Sequence, residues 1–221
     1  MKLKTNNKKQ KTMKTMNVLK NYGILSMVIA GLSTTGCKKD ADLTVVPPAS
    51  ENEMEVITDI KLIFTNSSNP SDIVEARAQD PDGIGVQELV ILDTINLDAS
   101  KTYIMTYEIF NNLETPGEDI GAEILEEDNE HQFFYSFSNN AFASPSGDGN
   151  IDAVTDPLIY NDVDENGNAV GLSTSWTTPA AALSGGSFTT RLQHQPDIKT
   201  STSGANDGDT DFDLSFVLNI Q

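Results

Sequence analysis

The chain has 221 residues, with 33 Asp and Glu against 14 Lys and Arg, two His, one Trp and one Cys. A formal charge of -19 repels phosphate backbones and excludes a nucleic-acid binder, whose affinity comes from Lys and Arg displacing counterions. One cysteine excludes an internal disulfide and a thiolate metal cluster, while the length and a 38% hydrophobic content suit one domain with a real core.

The first 36 residues have the pattern of a signal peptide. Lys2, Lys4, Lys8, Lys9, Lys11, Lys14 and Lys20 precede a short apolar run from Tyr22 to Leu32, and no acid occurs there. The run is shorter than the about 20 residues that span a bilayer as a helix. Ser33, Thr34, Thr35 and Gly36 then lead to Cys37. Small residues keep the chain slim enough for a peptidase, and Cys37 is the only thiol that can take a lipid. The stretch resembles a bacterial lipoprotein signal with its lipobox, with Thr34 where that motif usually has Leu. Ordinary secretion with Cys37 free or buried is the alternative. Lys38, Lys39, Asp40, Ala41 and Asp42 resemble the charged tag that sends such lipoproteins to the outer face of the outer membrane; display facing the periplasm stays open. Residues 37–52, with Pro47, Pro48 and Ser50, read as a lipidated cysteine and flexible tether, leaving 53–221 as one domain.

Alternating apolar residues then predict strands. Val56, Ile60, Leu62 and Phe64 share one face, and Tyr103, Met105, Tyr107 and Ile109 another. Runs at Ile73 to Gln79, Gln87 to Leu92, Leu158 to Asn161 and Leu172 to Thr178 lie between clusters of Gly, Pro, Asn, Asp and Ser. Leu97 and Tyr103, six apart before a strand, have the spacing of a tyrosine corner, in which the phenol bonds backbone at a Greek-key crossover. The expected architecture is all-β: a Greek-key, immunoglobulin- or fibronectin-like β-sandwich.

One segment departs from this pattern. Thr115, Pro116, Gly117 and Glu118 spell a capping box with proline at the first helical position, and Ile120, Ile124 and Leu125 recur on one side of a short helix. Glu126, Glu127, Asp128 and Glu130 crowd its far end, where free carbonyls already carry negative partial charge. No Lys or Arg lies between Lys101 and Arg191, against 15 acids. Either the acids are solvated, or a cation from elsewhere compensates them.

Two groups of residues could hold a cation. Asp162, Asp164, Asn166 and Gly167 spell D-x-D-x-N-G, whose alternate oxygens can converge on calcium; Ser173 stands where an EF-hand has its twelfth-position Glu, so either a short calcium loop or a plain acidic turn fits. Asp80, Asp82 and Gly83, and Asp207, Asp209, Asp211 and Asp213, read as solvated edges. The histidines continue apolar strand faces: His131 with Phe133, Tyr135 and Phe137, and His194 with Phe188 and Leu192. If those strands abut, His131, His194 and Glu130 could hold zinc or copper, or the two rings could grip a haem iron; otherwise both histidines are core-edge residues. At the C-terminus Phe212, Leu214, Phe216, Leu218 and Ile220 point one way and Asp211, Asp213, Ser215 and Asn219 the other. No H-E-x-x-H, G-x-S-x-G or glycine-rich phosphate loop occurs, so catalysis is not expected.

Glu55-Val56-Ile57-Thr58 after the tether, the acidic helix leading to Asp128-Asn129-Glu130-His131-Gln132-Phe133-Phe134-Tyr135, the Asp162 to Leu172 turn, Leu192-Gln193-His194-Gln195-Pro196 and the closing Asp209 to Gln221 strand together resemble a family of small flavobacterial cell-envelope lipoproteins without an established activity. The resemblance implies a lipid-anchored binding or accessory module, attached to the membrane and working beside an outer-membrane transporter or a surface ligand. Some relatives carry the label of a type 1 periplasmic binding fold, which implies a two-lobed α/β solute receptor. This chain is too short for two lobes and shows one helix where βαβ repeats need many.

Overall fold

The computed structural model describes residues 55–83 and 88–221, all within the unit Pro47–Gln221. The expected signal peptide, Cys37 and the expected tether lie outside the described residues. The strands are β1 (Asp59–Asn66), β2 (Ile73–Gln79), β3 (Val90–Ile91), β4 (Ile95–Leu97), β5 (Thr102–Asn111), β6 (Glu118–Asp119), β7 (His131–Phe137), β8 (Ser173–Thr177), β9 (Leu183–His194) and β10 (Asp209–Ile220), with one helix, α1 (Ile120–Glu126), between β6 and β7. None of the helices among the described residues is long and apolar enough to cross a membrane.

The strands form a six-stranded sheet, ordered β3-β2-β1-β5-β6 with β8 also on β5, and a four-stranded sheet, ordered β4-β10-β9-β7. Their inner faces pack as a sandwich, so the architecture is all-β, as composition and alternation require. The consecutive antiparallel strands β1, β2 and β3, with β5 returning beside β1, have the strand order of a Greek key. Between β3 and β5 the chain visits the other sheet as β4, parallel to β10. The tyrosine corner sits at that return: Tyr103 Oη accepts from the Asp98 N–H at 3.1 Å, and Leu97 and Tyr103 are fully buried. A two-lobed α/β receptor has no counterpart in this arrangement.

The alternating residues supply the core. Leu62 and Phe64 of β1, Met105 and Ile109 of β5, Phe133 and Tyr135 of β7, Phe188 and Leu192 of β9 and Leu218 of β10 are all fully buried. Each is worth about 1.5–3 kcal/mol of hydrophobic burial. Trp176 of β8 sits among Tyr135, Phe142 and Phe188, with ring centroids 5.3, 4.8 and 5.0 Å away. Val56, placed with Ile60 by alternation, precedes β1 and is half-buried, while Ile57 and Thr58 are buried instead. The 158–161 run forms only an isolated bridge, Tyr160 to Thr174.

β7 is an edge strand, yet nearly every residue in it is buried. The segment after it folds back along the edge: Phe133 N–H donates to Val170 O, Phe137 N–H to Asp148 O, and Asn150 N–H to Tyr135 O. Gly149 makes this approach possible, since a Cβ there would lie 2.1 Å from Tyr135 O. The cover satisfies the edge backbone and closes β7 to further pairing.

The helix starts later than its capping box predicts. Asp119, not Thr115, is the N-cap, accepting from the Ala122 N–H at 3.1 Å. Glu118 and Asp119 are already paired with Asn111 and Phe110 of β5, which commits their backbone to the sheet. Ile120 and Ile124 are buried as expected, but Leu125 is 58% exposed; seven residues give only one inward stripe. A distant cation reaches the backbone at the far end of the helix. Lys199 donates through Nζ to Asp128 O and pairs with Asp164 Oδ2 at 3.2 Å, with both side chains fully buried.

Candidate metal centre

Strand pairing brings the two histidines together. β7 and β9 are antiparallel with His131 opposite His194 and Phe133 opposite Leu192, so both imidazoles lie on the core side of the four-stranded sheet, at its end. The rings stack with centroids 4.5 Å apart and planes 4° from parallel. His131 is fully buried and His194 is 5% exposed. Phe133, next to His131 on this face, stacks on Tyr107 at 4.5 Å and meets Phe212 edge-on at 6.0 Å, giving the pair an apolar floor. Gly208 supports His194 from the β9–β10 connection; its φ of +81° and the 2.1 Å from a Cβ to His194 O admit only glycine.

β10 adds a residue that the alternation pattern places in solvent. Its register to β9 shifts between Thr210, opposite Gln193, and Phe212, opposite Leu192. Asp211 is the extra residue of this bulge, and the bulge rotates its side chain inward. That side chain is fully buried, with Oδ2 3.9 Å from His131 Nε2. The expectation that Asp211 lies on a solvated edge is therefore corrected. Strict alternation carries no mark of a bulge, so only the paired register reveals it.

The end of α1 supplies the rim. One ligand atom each from Glu127, His131 and His194 lie within 4.8 Å of one another, forming the one such group of three His, Cys, Asp or Glu among the described residues. Glu130, the carboxylate expected beside the histidines, stands 3.5 Å from His194 Nε2 and is 36% exposed; Glu127 takes its place in the three-membered group. Sequence reasoning missed Glu127 because it belongs to the helix end and not to the strand of His131.

Polar satisfaction is incomplete here. His131 Nδ1 lies 3.2 Å from Glu127 O; a carbonyl only accepts, so Nδ1 carries the proton and Nε2 keeps its lone pair. His131 Nε2, both nitrogens of His194 and both oxygens of Asp211 are buried without a hydrogen-bond partner. Each such atom costs about 1–3 kcal/mol. Burial, then the neighbouring His194, pushes the His131 pKa down to about 4 against the Glu127 carbonyl, so the ring is neutral at pH 7. Burial pushes Asp211 up to about 7, opposed by His194 and by the backbone N–H of Glu55. Glu55 and Glu123 are also raised, Glu123 to about 7, by burial and by mutual repulsion with Glu118 and Glu127.

This chemistry can bind a cation. Imidazoles and carboxylates without sulfur suit zinc or copper. An ion lies in the plane of any imidazole that binds it, and these stacked planes share no such point. Binding to both rings requires one to turn. His131 is held through Nδ1, whereas His194 has no hydrogen bond to hold it. Bis-histidine haem does not fit: iron sits between the nitrogen edges of two imidazoles with the macrocycle in the gap, and here the ring faces are in contact.

The D-x-D-x-N-G loop is arranged differently. Asp162 accepts from the N–H groups of Gly171 and Ser173 at 2.9 and 3.1 Å. Asp164 accepts from the N–H groups of Asn166 and Asn168, from Asn168 Nδ2 and from the Lys199 ammonium. Burial opposes the charge on Asp164, but these donors outweigh it and hold its pKa below the ordinary value. Asn166 has an exposed side chain. The oxygens expected to meet calcium are therefore engaged by donors, and Lys199 occupies the place of the cation. Asp80 likewise closes a turn, accepting from the N–H groups of Asp82 and Gly83.

No family model, curated protein or solved structure matches the chain.

Proposed function

We propose that the chain is a lipid-anchored cell-envelope module whose working part is a transition-metal site built on Glu127, His131 and His194, serving to capture or hold zinc or copper outside the cytoplasm. The single observation that carries this reading is the cluster of buried His131, His194 and Asp211 atoms without hydrogen-bond partners at the end of the sandwich, with Glu127 at its exposed rim. Buried without hydrogen-bond partners, those groups destabilise the fold, and a bound dication satisfies them. The surplus of acids around α1 adds a favourable field for a cation. Anchoring rests on the lysine-rich signal and Cys37, and a binding role accords with the absence of sequence motifs for catalysis.

The test is metal analysis and zinc or copper titration of the full chain purified without chelator, alongside His131→Ala and His194→Ala. The expected result is one ion per chain, lost in both variants. A chain that binds neither metal overturns the reading. Mass spectrometry of the exported protein checks the anchor: a diacylglycerol-modified Cys37 at the mature N-terminus is expected, and an unmodified intact chain removes it.

A further inference from the structure

Building on that reading, we propose that Asp211 is an inner ligand of the same ion, making the centre a set of two imidazoles and two carboxylates whose two negative charges balance a dication. Three observations converge on this residue. One of the two register shifts of β10 against β9 falls here, between Thr210 opposite Gln193 and Phe212 opposite Leu192, and it turns inward a side chain that regular alternation would expose. Both oxygens are buried without a hydrogen bond of ordinary geometry, the Glu55 N–H being the one backbone donor that favours the charged form. Its Oδ2 is 3.9 Å from His131 Nε2, the nitrogen that the Glu127 carbonyl leaves with a free lone pair.

The distance to His131 and the charge agree; Asp211 lies outside the group whose ligand atoms are all within 4.8 Å of one another, so it joins the ion as the site closes. Bonds of about 2.0–2.2 Å to nitrogen and oxygen let one ion touch two atoms up to about 4.2 Å apart, and a closure of about 0.5 Å gives the tetrahedral spacing of about 3.4 Å. A dication coordinated by two carboxylates and two imidazole lone pairs sums to zero at the ligands, with Glu130 outside them, 3.5 Å from His194 Nε2. With Glu127 alone the buried centre keeps one net positive charge, and monovalent copper with both carboxylates leaves one net negative charge. Uncompensated charge is costly in a site removed from water. The inner carboxylate therefore favours zinc or divalent copper over monovalent copper, while Glu127 at the exposed rim is the entry side.

The experiment compares the full-length wild type with Asp211→Asn, which keeps the shape and removes the charge, by competition titration with zinc and, under reducing conditions, with monovalent copper. Zinc affinity is expected to fall at least about tenfold, with affinity for monovalent copper changing less than about threefold. A crystal structure of the zinc-loaded wild type reads the same point without a variant: an Asp211 oxygen about 2.0–2.2 Å from zinc is expected. A wild type that binds zinc while Asp211→Asn binds it equally, or a loaded structure with Asp211 outside the coordination sphere, overturns this inference and leaves the Glu127, His131 and His194 reading standing. A wild type that binds no metal overturns both.

Discussion

Replacing Asp211 by Asn in the metal-free chain separates a residue kept for binding from one kept for stability. Burial raises the Asp211 pKa to about 7 from the ordinary 3.8. Between those values the folded chain holds a proton that the unfolded chain has released, so this group makes stability fall as pH rises, by about 1.4 kcal/mol per unit. The full loss is about 4 kcal/mol by pH 8. His131, lowered to about 4 from 6.5, works oppositely: the unfolded chain takes the proton first, so stability rises with pH by about 3 kcal/mol between pH 4 and 6.5. In the wild type the two slopes largely cancel over that window. Asn removes the first and leaves the second. Asp211→Asn is thus expected to match the wild type near pH 4 and to exceed it by several kcal/mol at pH 8. For a chain of this size that is a rise in melting temperature of about 8–16 °C. Urea unfolding and thermal melts in chelator at pH 4, 6 and 8 measure it. A variant less stable than the wild type at pH 8 would show that Asp211 makes stabilising bonds in the metal-free fold, and the reasoning from its unpartnered oxygens would fail.

Lys199→Met removes the ammonium shared by Asp128 O and Asp164; a cost of about 3–5 kcal/mol is expected, read by urea unfolding, and pairing it with Asp164→Asn should recover part of the loss. Tyr103→Phe deletes the bond to the Asp98 N–H and should lower stability by about 1 kcal/mol, or about 2–4 °C; an unchanged melt would mean that the corner is held by packing alone. Because the Asp162 and Asp164 oxygens already accept N–H and ammonium donors, millimolar calcium is expected to leave the melting temperature unmoved, and a rise abolished by Asp164→Ala would reinstate a calcium loop.

Period-two alternation made the sandwich legible from the residues alone, because a strand half in water must sort its side chains by face. The same rule put His131 and His194 on inner faces, and the Leu97 and Tyr103 spacing marked the crossover where the phenol now bonds Asp98. The helix was legible in kind but not in start, since its capping box lost Glu118 and Asp119 to pairing with β5.

The candidate centre needed the tertiary structure, for three physical reasons. Register is a property of two strands, so only the pairing of β7 with β9 stacks the histidines. A bulge is a mismatch between partners, invisible in either one, and it carries Asp211 from the solvent face to the interior. Long-range charge pairing ignores sequence distance: Lys199 reaches the helix end and the acidic turn across 71 residues to Asp128, which converts an apparent calcium loop into a buried ion pair. Composition and patterning set what the strands are and which way they face; the contacts between strands decide which polar groups meet inside.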